Sequence, residues 1–190
     1  MTETLVAHVL DREWELFQRV HSTRPVRCQS APESFRTIRG SLFELWTGEM
    51  LAAYLEALER AVAQGRNPLA EKYARMDGLI PPLSENPLID AIVAVEERWQ
   101  AELQARYPAL YRRCCRSQAP TGDGRNFSVY LRCELETYGE RTVHLYHENV
   151  ERAAAAGRNL AIEALDRLVA QSGYASLEQA EQVLSGRAAE

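Results

Sequence analysis

The sequence predicts an all-α protein, and three observations carry the prediction. Apolar residues recur with helical period almost throughout, Ala, Leu, Glu and Arg dominate the composition, and no run alternates in the way a half-buried strand requires. The chain has 190 residues, of which 46% are hydrophobic and 26% charged, a balance that suits one globular helical domain rather than a disordered or fibrous chain.

The first helix is expected from about Glu3 to Val20, with Leu5, Val6, Val9, Leu10, Leu16 and Phe17 on one face. Ser30 and Glu33 have capping-box spacing with Pro32 in the first turn, which opens a long helical stretch from Ala31 towards Gln64. Thr47-Gly48 is the place where that stretch would kink or break. Gly65 is a C-terminal stop, and Asn67-Pro68 restarts a short helix through Met76. Residues 78–86 begin GLIPP and cannot be helical throughout, so they read as a linker. Asn86-Pro87 then caps a helix through Ile89, Ile92, Val93, Trp99 and Leu103, broken at Tyr107-Pro108. After a polar loop from Ser117 to Asn126, a single long helix is expected from Phe127 to about Ala156. Gly157 and Asn159 would end it and cap the next helix, and Ser176 caps a last short one.

The chain also matches itself. Residues 35–76 lie on residues 127–168 at a constant offset of 92, pairing Tyr54 with Tyr146, Glu59-Arg60-Ala61 with Glu151-Arg152-Ala153, and Gly65-Arg66-Asn67 with Gly157-Arg158-Asn159. Chance likeness between amphipathic helices would share Leu and Ala, not a Gly-Arg-Asn break. Upstream, Trp14 pairs with Trp99 at offset 85. The expected architecture is therefore one helical domain of two duplicated multi-helix halves related by a pseudo-twofold axis. Unit one covers about 1–77, the linker 78–86, unit two 87–172, and a C-terminal helix 173–190.

The 27 acidic side chains outnumber the 22 basic ones, a net charge of −5, so no overall positive field favours nucleic acid or an anionic membrane. Lys72 is the only lysine. No apolar run reaches the roughly 18 residues of a membrane span, and the first residues are amphipathic rather than signal-like. A cytoplasmic protein with reduced thiols at Cys28, Cys114, Cys115 and Cys133 is expected. No GxGxxG, GxxxxGK[ST], GxSxG or HExxH is present, which removes the common nucleotide, hydrolase and zinc-protease classes.

Charged residues on apolar stripes are the informative candidates, because an unpaired buried carboxylate costs several kcal/mol. Glu13 lies between Leu10 and Phe17 at core spacing, and Glu134 shares a strip with Leu131, Tyr138, Arg141 and Leu145. Glu134 could equally make a structural ion pair with Arg141 or Arg39. Glu71, Lys72 and Arg75 follow a capped helix start, where an anion could bind beside Arg66, although a Glu71–Arg75 salt bridge explains the same spacing. Glu136, Glu140, His144 and His147 have the spacing of ligands on one helix face and also of an ordinary solvated face. Cys28, flanked by Arg24 and Arg27, is a candidate thiolate without a local base.

These residues also carry a family likeness. Trp14-x-x-Phe17, Cys28-Gln29, Phe35-x-x-x-Arg39-x-Ser41-x-Phe43-x-x-Trp46, Gly65-Arg66-Asn67 running into Glu71-Lys72-Tyr73-Ala74-Arg75-Met76, Pro81-Pro82-Leu83-Ser84 and Glu134-Leu135-x-Thr137-Tyr138 together resemble the bacterial domain-of-unknown-function family numbered 4125. The likeness covers nearly the whole chain. One departure is Gly139, where the family pattern has serine, and His144 and His147 are not part of the pattern. The resemblance implies relatives and no reaction.

The leading expectation is a protein that binds a small molecule or a metal at a polar site between its halves, with enzymatic activity open and no cofactor assigned. Catalytic candidates are Glu13, Glu71, Glu134, Tyr138 and Cys28, and ligand-binding candidates are Arg39, Lys72, Arg75 and Trp46. The alternative is a non-catalytic interaction platform using exposed aromatics such as Trp46 or Tyr54, with homo-oligomers compatible with either. A closed cavity holding three or more convergent polar side chains separates the first from the second.

Overall fold

The structure is a computed structural model that describes residues 2–20, 27–119 and 126–187, with the side chains of residues 27, 28 and 187 left out. Ten α-helices and one 3₁₀ turn make up the described residues, and no strand occurs among them. In order they are α1 (Thr2–Gln18), the 3₁₀ turn (Arg27–Ser30), α2 (Pro32–Phe43), α3 (Gly48–Ala63), α4 (Pro68–Met76), α5 (Leu88–Arg106), α6 (Pro108–Cys114), α7 (Phe127–Leu135), α8 (Glu140–Ala155), α9 (Leu160–Gln171) and α10 (Leu177–Arg187).

Most expected boundaries hold, and the exceptions have local causes. The stretch from Ala31 to Gln64 is two helices, because Thr47 takes an extended backbone and its hydroxyl accepts from the Met50 amide at 3.2 Å, starting α3 afresh. The segment expected as one helix from Phe127 to Ala156 breaks in the same way at Gly139, which is extended at φ −69°. A Cβ placed on Gly139 would lie 3.2 Å from the Ala57 Cβ, so glycine lets the start of α8 approach α3 closely. α2 begins after Ala31 with no side-chain cap, so the Ser30–Glu33 capping box does not form as expected. Gly65 and Gly157, both at φ near +70°, end α3 and α8 with the same backbone bond, from Arg66 to the Ala61 carbonyl and from Arg158 to the Ala153 carbonyl.

Packing divides the helices into two groups. α1 packs on α2, α3 and α4, and α5 packs on α7, α8 and α9. The main contacts between the groups are α2 with α9, α4 with α7, and α3 with α8. α10 closes one end against α6 and α9, where the Glu181 carboxylate accepts from the Ala109 and Leu110 amides at 2.9 and 2.8 Å and caps α6. One apolar core runs through both groups, from Val9, Phe43, Leu51 and Leu58 to Ile92, Leu103, Leu135 and Val143. No described helix is long and apolar enough to cross a membrane.

Candidate functional site

Two acids on the inner faces of their helices receive very different partners. Glu13, 1% exposed on α1, is held by both arms of Arg39: Nε donates at 2.8 Å and Nη2 at 2.6 Å. The Tyr54 phenol donates to the same carboxylate at 2.7 Å. Arg39 Nη2 also lies 2.8 Å from Glu134, which accepts from the Tyr138 phenol at 3.3 Å and has Lys72 Nζ at 3.8 Å. Lys72 in turn donates to the Tyr130 phenol at 3.2 Å and sits 4.6 and 5.1 Å from the ring centres of Tyr130 and Tyr73. Burial alone would raise the Glu134 carboxyl, but Arg39 and Lys72 outweigh it and bring it down to about 2. Burial opposes the charge on Lys72 as well, yet Glu134 holds its ammonium above the ordinary lysine range, so it stays protonated and is no amine nucleophile.

Glu96 on α5 is the contrast. It is 8% exposed, and its hydrogen-bond partner among the described residues is the Tyr146 phenol, which donates at 3.0 Å. No ion pair reaches it among the described residues, and burial pushes its carboxyl up to about 7 against a smaller opposing pull from the phenol. One turn further on, Gln100 is also buried, and its side-chain carbonyl accepts no hydrogen bond among the described residues.

These groups line one cavity of about 450 Å³, within the usual range for small-molecule sites. Its walls come from α1, α2 and α4 to α9, it lies along the α2–α9 and α4–α7 contacts, and exposed Ile38 and Leu42 on α2 mark its mouth. Of the residues singled out from sequence, Glu13, Arg39, Trp46, Lys72, Glu134 and Tyr138 line it. Glu71 does not: the fork of Arg66 takes both its oxygens at 2.8 and 2.7 Å. Arg75 also points elsewhere, donating to Glu136 at 2.9 Å, so the expected Glu71–Arg75 pair is replaced by two others. The Cys28 side chain lies outside the described residues.

Further expectations are corrected by the helix break at Gly139. Arg141 leaves the strip of Glu134 and pairs with Glu49 on the surface at 3.0 Å. Glu136 is buried against Arg75 and the Leu83 amide, separated from Glu140, His144 and His147, and the described residues contain no group of three or more metal-ligand side chains. Trp46 and Tyr54 are not exposed interface aromatics. They are 9% and 3% exposed and pack with Phe43, Tyr138 and Tyr146 at ring distances of 4.6 to 5.9 Å.

Glu96, Gln100, Tyr130 and Tyr146 are absent from the sequence-based set. For Glu96 the signal was present: Ile89, Ile92, Val93, Glu96, Trp99, Gln100 and Leu103 follow one helical stripe, the criterion that singled out Glu13. No curated protein and no solved structure matches the chain. The Glu-Lys-Tyr-Ala-Arg segment, the paired Gly-Arg-Asn turns and the cavity acids all lie within residues 3–182, which match a family model over that span. The chain belongs to the family described as "Protein of unknown function (DUF4125)".

Proposed function

We propose that the protein binds a small organic molecule in the cavity between its two helical groups. The observation that carries this is a cavity of about 450 Å³ whose wall is mostly aromatic and aliphatic yet includes the buried acid Glu96, which has no ion pair among the described residues, and buried Gln100, whose side-chain oxygen accepts no hydrogen bond among them. A folding core alone gains nothing from keeping such groups, since their desolvation costs about 1–3 kcal/mol each. The absence of a metal-ligand group among the described residues favours an organic ligand over a metal.

The test uses indole as a neutral probe of the cavity and thermal unfolding as the readout. Indole is expected to raise the Tm of the wild type. It is expected to leave unchanged the Tm of Ala164→Phe or of the milder Ala161→Leu, which fill the cavity from α9. No shift in the wild type, or the same shift in a filled variant that unfolds cooperatively, overturns the proposal.

The two groups are, on this proposal, copies of one four-helix unit. Reciprocal interactions support it. Asn67 and Asn159 each cap a helix and reach back to the first helix of their group, at the Leu16 and Trp99 carbonyls. Arg66–Glu71 is matched by Arg158–Glu163, and the crossing pair Arg75–Glu136 by Arg167–Glu44. These bonds equate Leu16 with Trp99 and Glu13 with Glu96, an offset of 83 in place of the 85 that joins Trp14 to Trp99. An experimental structure in which residues 2–76 and 88–171 superpose with unlike helix order would refute the duplication.

A further inference from the structure

The buried acids of the cavity outnumber its buried cations. Three carboxylates line it at under 9% residue exposure, Glu13, Glu96 and Glu134, against two cations withdrawn from water, Arg39 and Lys72. Arg39 lies within 2.8 Å of both Glu13 and Glu134, and Lys72 adds its charge beside Glu134. Neither has a contact with Glu96. Arg113 and Arg116, the other cations of the lining, are exposed, and the Arg116 guanidinium sits over the Tyr130 ring at 4.0 Å.

What surrounds Glu96 is suited to a cation. Gln100 follows one turn later on the same face of α5 and offers a carbonyl without a donor. Tyr146, bonded to Glu96, packs its ring edge-to-face 5.4 Å from Trp46, which packs edge-to-face 5.9 Å from Tyr138, so a cluster of electron-rich rings adjoins the carboxylate. A carboxylate, an amide oxygen and aromatic faces together recognise N–H groups on a positive nitrogen with an apolar body. A carboxylate ligand would meet the like charge of Glu96 at this end of the cavity.

Resting on the proposed binding function, we infer that the ligand is an organic ammonium whose N–H groups bond Glu96 and Gln100 while its apolar body lies against Trp46 and Tyr146. The ligand then supplies the third positive charge.

Three phenylalkyl probes separate the outcomes: 2-phenylethylamine, 2-phenylethanol and the slightly larger phenylacetate, titrated by calorimetry at about pH 8, where the first is charged positive and the last negative. The amine is expected to bind the wild type at least tenfold more tightly than the alcohol, and the carboxylate more weakly still. Glu96→Gln, which removes a buried charge and keeps the fold, is expected to erase the preference while the alcohol still binds. If the alcohol or the carboxylate binds the wild type as well as the amine, or Glu96→Gln keeps the amine preference, the ammonium is wrong and the cavity stands. If neither these probes nor indole binds, the binding function falls and the ammonium with it.

Discussion

Glu13 and Glu96 each sit on the helix that packs against the other three of its group, α1 and α5, and each receives a phenol, from Tyr54 and Tyr146, 92 residues apart. Their burial is alike, at 1% and 8% exposure. Their charge is not, because Arg39 on α2 reaches Glu13, while the position 92 residues after Arg39 is Leu131 on α7. The difference teaches that helix packing delivers a buried acid, and a single guanidinium decides whether it becomes part of an ion-paired framework or is left without a counter-charge.

The largest break in this comparison is Arg39→Met. It strands Glu13 and Glu134 without their shared cation and is expected to cost about 3–5 kcal/mol in denaturant unfolding. A loss under about 1 kcal/mol would show that the clamp is not structural.

Glu96→Gln has the opposite sign. The Glu96 carboxyl is raised in the folded protein, to about 7, so the folded state binds the extra proton and wild-type stability falls as pH climbs from about 4.5 to 7. The glutamine variant lacks that slope and is expected to be more stable than the wild type by about 2–3 kcal/mol near pH 8, with no gain near pH 4. Glu134 provides the reverse control. Lowered to about 2, it contributes stability above the ordinary carboxylate range that is lost as pH falls from about 4.5 to 2. Unfolding curves from pH 3 to 8 read both limbs, and a flat wild-type curve above pH 5 removes the contrast between the acids.

Smaller effects test how alike the two groups are. Asn67→Ala and Asn159→Ala each remove an N-cap and a bond to the first helix, and each is expected to cost about 1–2 kcal/mol by the same measurement. Arg66→Ala and Arg158→Ala break half-exposed surface pairs and are expected to cost under about 1 kcal/mol each. Costs differing more than threefold between the members of either pair would mean that the matched bonds do unlike jobs.

Much of the scaffold was legible because its signals are local. Gly65, Gly157, Asn67 and Asn159 mark ends and caps through bonds spanning two to five residues, and the helical stripe placed Glu13 and Glu134 inward. The break at Gly139 was missed because the residues around it favour a helix; its reason is the close approach to Ala57 on α3. Glu71 and Arg75 were drawn together by spacing, yet Arg66 and Glu136 have better geometry for them.

Sequence by itself determined the helices, their caps and which acids turn inward, since each follows from a period of 3.6 residues or a turn of fixed chemistry. Only tertiary structure decided that Arg39 serves two acids 121 residues apart in the chain, that Glu96 has no ion pair among the described residues, and that a cavity remains between α2, α4, α5, α7 and α9. The reason is physical: ion pairs and voids depend on which faces meet, and that is settled by packing two groups of helices against each other rather than by any spacing within one.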